Sequence, residues 1–263
     1  MTLSGFRDAG ALALLLLCAG CGRQGATQKV TVAAAADLQF ALPAAVRAFQ
    51  ASNGDIQISA VYGSSGNFYS QIANGAPFDV FLSADMEYPR KLAQQGLALP
   101  DSLFLYGVGR LAVWVPNESG LDVQKLQMRT LEADSVQHVA IANPQHAPYG
   151  KAAEAALRSL GVYDSVKPKL VYGENIAQTL EFVQSGAAQA GIVALSLAMA
   201  PAVRGQGSYW EIPLDAYPRL EQGGAILQRA RNSPAAERFR EFLLQAAGRG
   251  ILKQYGFYLP EGR

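Results

Sequence analysis

Short apolar runs that alternate with helix-periodic stretches constrain this chain more than any other feature of its sequence. Lys29–Ala36, "KVTVAAAA", reads as a buried strand, and Leu38–Gln50 carries apolar residues at helical spacing, with Pro43 tolerable only in a first turn. The pattern recurs as a strand at Gln57–Tyr62, a helix from about Asn67 to Asn74, a strand at Asp79–Ser83 and a helix at Glu87–Gln95 closed by Gly96. Such alternation predicts an α/β fold with a parallel sheet covered by helices on both faces.

From Leu103 the texture changes. "LFLYGVGRLAVWVP" holds two apolar runs joined at Gly107 and Gly109 with no room for a helix, as expected of long strands crossing from one domain into another. Strand and helix patterns then resume: strand Val139–Ala142, helix Lys151–Leu160, strand Lys169–Val171, helix Ile176–Gln184, strand Ala190–Ala194. "LEQGGAILQRA" reads as a strand returning to the first sheet, and Pro234–Ala247 and Ile251–Tyr255 as terminal helices. These boundaries predict a discontinuous domain I, residues 29–106 plus 221–263, and a domain II, residues 107–220. No internal sequence repeat is visible. A chain of 263 residues that is 50% apolar and 16% charged has ample core for one or two domains.

Charge argues against nucleic acid as a partner: 22 basic and 21 acidic residues leave a formal +1, without any run of five or six like charges. The N-terminus has the order of an export signal over residues 1–20, with Arg7, then apolar Ala11–Leu17, then Cys18-Ala19-Gly20-Cys21, and residues 21–28 read as a tether. Its apolar block is too short to span a bilayer. As a redox or metal pair the C-x-x-C lacks a strand–helix context and a second cysteine pair. Ala19-Gly20-Cys21 instead resembles a lipoprotein lipobox, which implies cleavage before Cys21 and a diacylglycerol on its sulfur. Cys18 stands where that motif usually has Leu, so plain secretion with cleavage near Gly25 or Ala26 stays open. Either route predicts a periplasmic or extracytoplasmic protein.

In open α/β sheets ligands sit beyond the carboxyl ends of strands, where helix N-termini aim backbone N–H groups at them. Four strand-to-helix turns qualify: Ala33–Asp37, Gly63–Asn67, Asn143–Gly150 and Tyr172–Ile176. In the second, Gly63 and Gly66 allow close backbone approach, and Ser64 and Ser65 add hydroxyl donors beside the positive end of a helix dipole. That suits a small anion, although a serine at such a place also commonly caps its helix. Tyr149, between Pro148 and Gly150, is either an anchoring phenol or a packed aromatic. A G-x-S-x-G nucleophile elbow would need glycine where Asn67 stands, and a hydrolase would have only His146 as base. Gly150-Lys151 lacks the glycine spacing and the following Ser/Thr of a phosphate loop, and His138 and His146 lack zinc-site spacing.

With those residues in view, the chain resembles the periplasmic molybdate-binding proteins of ABC importers (the ModA family) over nearly all of Val30–Pro260. The segments that carry the resemblance are "VTVAAAADLQFAL", "YGSSGNFYSQIANGAPFDVFLSAD", "LFLYGVGRLAVWVP", "IANPQHAPYGKAAEAAL", "GENIAQTLEFVQSGAAQAGIVA" and "YGFYLP". The resemblance implies the type 2 periplasmic-binding-protein fold: two α/β domains joined by two crossover strands, with the ligand in the cleft. It implies a non-enzymatic carrier without cofactor, monomeric, that delivers molybdate or tungstate to a transporter permease. The oxyanion-binding residues it implies are Ala36, Asp37, Ser65, Tyr149 and the backbone N–H of Ile176, with Leu38 and Ser64 as neighbours.

Two positions depart from the family pattern. Asp37 stands where many members have Ser, Thr or Asn, and a carboxylate beside a dianion is repulsive unless it caps the helix or is protonated; the cap is expected here. Ala194 replaces a ligating tyrosine found in some members, and Tyr149 can supply that phenol from the opposite turn. Closure is expected to hinge near Gly107–Arg110 and near Pro218–Gly223. A carrier for sulfate, phosphate or an organic carboxylate is the alternative, and an enzyme or regulator domain on the same fold a more distant one.

Overall fold

The computed structural model describes residues 27–259, so the predicted signal, Cys21 and most of the tether lie outside it. The first sheet is made of β1 (Gln28–Ala35), β2 (Ile56–Gly63), β3 (Val80–Ser83), β4 (Phe104–Gly109) and β10 (Leu220–Ile226). The second is made of β5 (Leu111–Pro116), β6 (Val139–Ala142), β7 (Leu170–Gly173), β8 (Ala190–Ala194) and β9 (Gly207–Glu211). Their orders are β2-β1-β3-β10-β4 and β7-β6-β8-β5-β9. In each, four strands run the same way and one, β10 in the first sheet and β5 in the second, runs against them. The sheets are therefore mixed rather than wholly parallel. The antiparallel members are those that carry the chain between sheets, which local periodicity cannot orient. The two sheets share one topology although no sequence repeat is visible.

Helices α1 (Ala41–Ser52), α2 (Ser65–Ala73), α3 (Glu87–Gln94), α9 (Pro234–Leu244) and α10 (Ala246–Gln254) belong with the first sheet. Successive residues of β1 face opposite ways. Val30, Val32 and Ala34 join Leu42 and Phe49 of α1 and Phe239 of α9 in one core. Ala33 joins Phe68 of α2 and Leu92 of α3 in another, so both faces are covered, as the sequence predicts. Phe49 and Phe239 meet edge to face at 5.3 Å between ring centroids, and truncating either to Ala removes about 3–5 kcal/mol.

Helices α4 (Val123–Leu126), α5 (Pro148–Ser159), α6 (Tyr163–Val166), α7 (Ile176–Gln184) and α8 (Leu195–Ala198) accompany the second sheet. Its core is a single cluster that includes Trp114, Leu131, Val139, Ile141, Leu180 and Ile192. The chain passes between sheets at Arg110, between β4 and β5, and returns between β9 and β10. Arg110 is buried at that crossing; it pairs with Glu211 and stacks 4.3 Å from the ring centroid of Tyr258. No helix among the described residues is long and apolar enough to cross a membrane.

Candidate functional site between the two lobes

All four turns singled out in the sequence meet between the lobes, around a small, tightly closed cavity. The first lobe contributes Ala35–Asp37, Gly63–Ser65 and Ala84; the second contributes Ala147–Tyr149, Asn175 and Ile176. No lysine, arginine or histidine is among the residues that line it.

At α2 the two serines divide the roles that the sequence left open. Ser64 is the N-cap, its Oγ accepting from Asn67 N–H at 3.4 Å and lying 2.9 Å from Nδ1 of His146. Ser65 Oγ accepts the Ala84 N–H at 2.9 Å, which leaves its own hydroxyl proton to donate. Ser65 is also the first residue of α2, and the N–H there has no partner within the helix.

The same logic frees one N–H at α7. Asn175 caps the helix by accepting from Ala177 N–H at 2.9 Å and Gln178 N–H at 3.1 Å, so the second and third amides are satisfied. Ile176, the first, lines the cavity with no intrahelical acceptor for its N–H.

Tyr149 is buried at the start of α5, and its hydroxyl donates to Asp37 Oδ2 at 3.0 Å. Burial, then the adjacent Asp37 carboxyl, pushes the phenol well above the usual tyrosine range, so it stays a donor. Gln222 of β10 donates from Nε2 to both Asp37 Oδ2, at 2.5 Å, and Tyr149 Oη, at 2.9 Å. Gly109 of β4 makes room for this group: a Cβ there would lie 2.3 Å from the Tyr149 hydroxyl and 2.5 Å from Gln222 Nε2.

Asp37 does not behave as the expected helix cap. The short 3-10 turn Ala36–Leu38 has no side-chain cap, and the buried carboxyl turns instead to Tyr149 and Gln222, which offer it two donors. Burial raises its pKa from 3.8 to about 6, against hydrogen bonds from Gln222 and Tyr149 that lower it. Oδ1 has no hydrogen-bond partner. Leu38 does not line the cavity; its side chain packs in the core with Leu42 and Phe49. Ala194 is buried at the end of β8, opposite Leu111.

Bonds between the lobes hold the cleft shut around this space. Gly66 N–H donates to the His146 carbonyl at 2.9 Å, and Asn67 Nδ2 donates to Glu174 at 2.5 Å. Ser196 Oγ donates to the Asp37 carbonyl at 2.9 Å. The Ser64, His146 and Glu174 side chains form a row, but Nδ1 faces the serine and Nε2 the carboxylate, the reverse of a serine hydrolase, and Glu174 is exposed, 3.6 Å from Nε2, and already held by Asn67. That row acts as a latch across the cleft mouth. Among the described residues, no three His, Cys, Asp or Glu side chains gather to hold a cation.

Sequence reasoning missed Ala84, Gln222 and Ser196. Gln222 carried a signal: an amide side chain two residues into the mainly apolar strand "LEQGGAIL", which a buried strand tolerates only with polar partners.

Two α/β lobes, joined by two chain crossings and closed over a small donor-lined cavity, define a protein that captures a solute. The comparisons agree. The chain belongs to the bacterial extracellular solute-binding proteins, whose family model matches residues 30–258. The molybdate-binding protein ModA of Rhodobacter capsulatus is 37% identical over 250 residues, covering 95% of each chain. That of Azotobacter vinelandii is 38% identical over 239 residues, covering 91% of this chain and 92% of the relative. The solved periplasmic molybdate-binding protein of Azotobacter vinelandii superposes with a TM-score of 0.81 at 33% identity, over 88% of this chain and 100% of that one. The sulfate-binding protein SubI of Mycobacterium tuberculosis, at 16% identity and a TM-score of 0.72, shares the fold.

Proposed function

We propose that this chain captures molybdate, and tungstate with it, outside the cytoplasm and delivers it to the permease of an ABC importer. The observation that carries the reading is the lining of the cavity: the Ser65 hydroxyl and the unpaired helix-start N–H groups of Ser65 and Ile176 meet there from opposite lobes, with no cationic side chain beside them. So confined a space suits a small ion better than a bulky organic ligand. The relatives supply the identity of the ion, since those at 37% and 38% identity are named for molybdate.

Ser65 Oγ and the N–H groups of Ser65 and Ile176 are the donors, one set from each lobe, so the ion bridges the lobes and stabilises the closed form. Micromolar affinity corresponds to about 8 kcal/mol. Hydrogen bonds to a charged acceptor contribute about 1.5–3 kcal/mol each, so a handful of fixed dipoles suffices without a cation. The lobes rotate about the crossings at Arg110 and at residues 212–219, and the closed face is what the permease reads. The chain acts by binding rather than catalysis, as the relatives' names support, and it acts as a monomer. Acylation at Cys21 would tether it to a membrane.

Thermal unfolding with each anion tests the assignment. Molybdate and tungstate at about 100 times their Kd stabilise the protein by about 2.7 kcal/mol, whereas sulfate and phosphate at the same concentration do little. Stabilisation by sulfate or phosphate alone would move the assignment to that anion.

A further inference from the structure

The cavity wall of neutral groups has one exception. Asp37 is 1% exposed, lines the cavity, and leaves Oδ1 without a partner while Oδ2 is doubly engaged. A buried carboxylate oxygen with no well-formed hydrogen bond, only the nearby backbone N–H groups of Asp37 and Leu38, is doubly unfavourable as an anion beside a site for a dianion. The same oxygen becomes useful once it carries a proton, because a neutral carboxyl group is a donor as well as an acceptor.

We propose that Asp37 meets the bound oxyanion as a neutral carboxyl group, its Oδ1 hydroxyl donating to an anion oxygen, so that each dianion captured brings one proton from solvent onto Asp37. This rests on the reading of the cavity as an oxyanion site. The proton forms the O–H bond on Asp37 and is released to solvent when the anion leaves; no other bond is made or broken.

The surroundings are consistent with this. Gln222 on β10, Tyr149 on α5 and the backbone N–H groups of Asp37 and Leu38 act on the carboxyl, with no cation among them. Tyr106 on β4 lies near enough to feel the charge, and Ser196 on α8 bonds only the backbone carbonyl. On the far side of the turn, Tyr62 of β2 and Gln178 and Glu181 of α7 line a separate open cleft. Burial, opposed by these hydrogen bonds, already holds Asp37 at about 6, and a like charge at contact pushes it further, so the group is mostly ionised when free and protonated when bound near neutral pH.

Titration calorimetry with sodium molybdate, in two buffers of different ionisation enthalpy, reads the proton count directly. At about pH 7.5 the protein takes up about one proton per molybdate, and its Kd weakens about tenfold per pH unit above neutrality. Asp37→Asn, and Asp37→Ser should the first variant fold poorly, abolish the proton uptake and flatten the pH dependence, whatever their affinity. Molybdate binding by the unaltered protein without proton uptake overturns the proposal and leaves the carrier reading standing. Persistent uptake in the variants overturns it too, because the proton then sits on the anion or another group. An unaltered protein that binds no molybdate overturns both.

Discussion

Ser65 shows how little a small-anion site needs. Its Oγ is fixed by the Ala84 N–H, so its hydroxyl proton has a defined direction before any ligand arrives. Ser65→Ala removes that donor; at about 1.5–3 kcal/mol per bond to a charged acceptor, molybdate affinity falls roughly 10- to 150-fold by calorimetry. Tyr149→Phe acts differently. It strips a buried partner from both Asp37 and Gln222, so about 1–3 kcal/mol is lost from unfolding stability in the absence of anion, measured in denaturant. At this scale the sequence displayed the serines and the tyrosine because glycines and helix starts surround them. It flagged Asp37 as anomalous but could not aim the side chain, because its partners lie 112 and 185 positions away.

Between elements, the cleft works because helix ends are finished so that one N–H is left over. Asn175→Ala unties the second and third amides of α7; about 1 kcal/mol of stability goes, and the Ile176 N–H loses its direction, so anion affinity falls with it. Gly66 sets how near the lobes can come, since a Cβ there would lie 2.5 Å from the His146 carbonyl oxygen and 2.7 Å from the Tyr88 hydroxyl. Gly66→Ala therefore folds but closes incompletely. Small-angle scattering detects this as a smaller decrease in radius on adding molybdate than in the unaltered protein; an equal decrease would count against the latch. Most helices were legible from their caps and closing glycines, as α7 shows by running from Ile176 to Gln184. The strand direction of β5 and β10 was not, because it depends on which sheet a segment joins. β9, the short half-exposed run Gly207–Glu211, gave too weak an alternation to be read.

Across the whole molecule, a buried carboxylate without a countercharge leaves a signature in stability. The folded Asp37 holds its proton to about 6, against 3.8 ordinarily, so between these values the folded state binds more protons than the unfolded one. Stability therefore falls as pH rises through that window, and the penalty of roughly 3 kcal/mol at most is complete above it. Asp37→Asn removes the titration. Without anion, the variant gains stability relative to the unaltered protein between about pH 3.5 and 7.5, and parallel curves would contradict the assignment. The two lobes and their crossings were legible from the change of texture at Leu103, but the closed cleft was not, since it depends on contacts such as Gly66 with His146 that join the lobes.

One cleft takes one small oxyanion. Calorimetric titration of the protein with molybdate, tungstate, sulfate and phosphate in turn measures that directly. The account predicts one-to-one binding of molybdate and tungstate, mutually competitive, with sulfate and phosphate weaker by orders of magnitude and all binding reduced in Ser65→Ala. Undiminished molybdate binding in Ser65→Ala, or no binding of molybdate or tungstate at all, would contradict it.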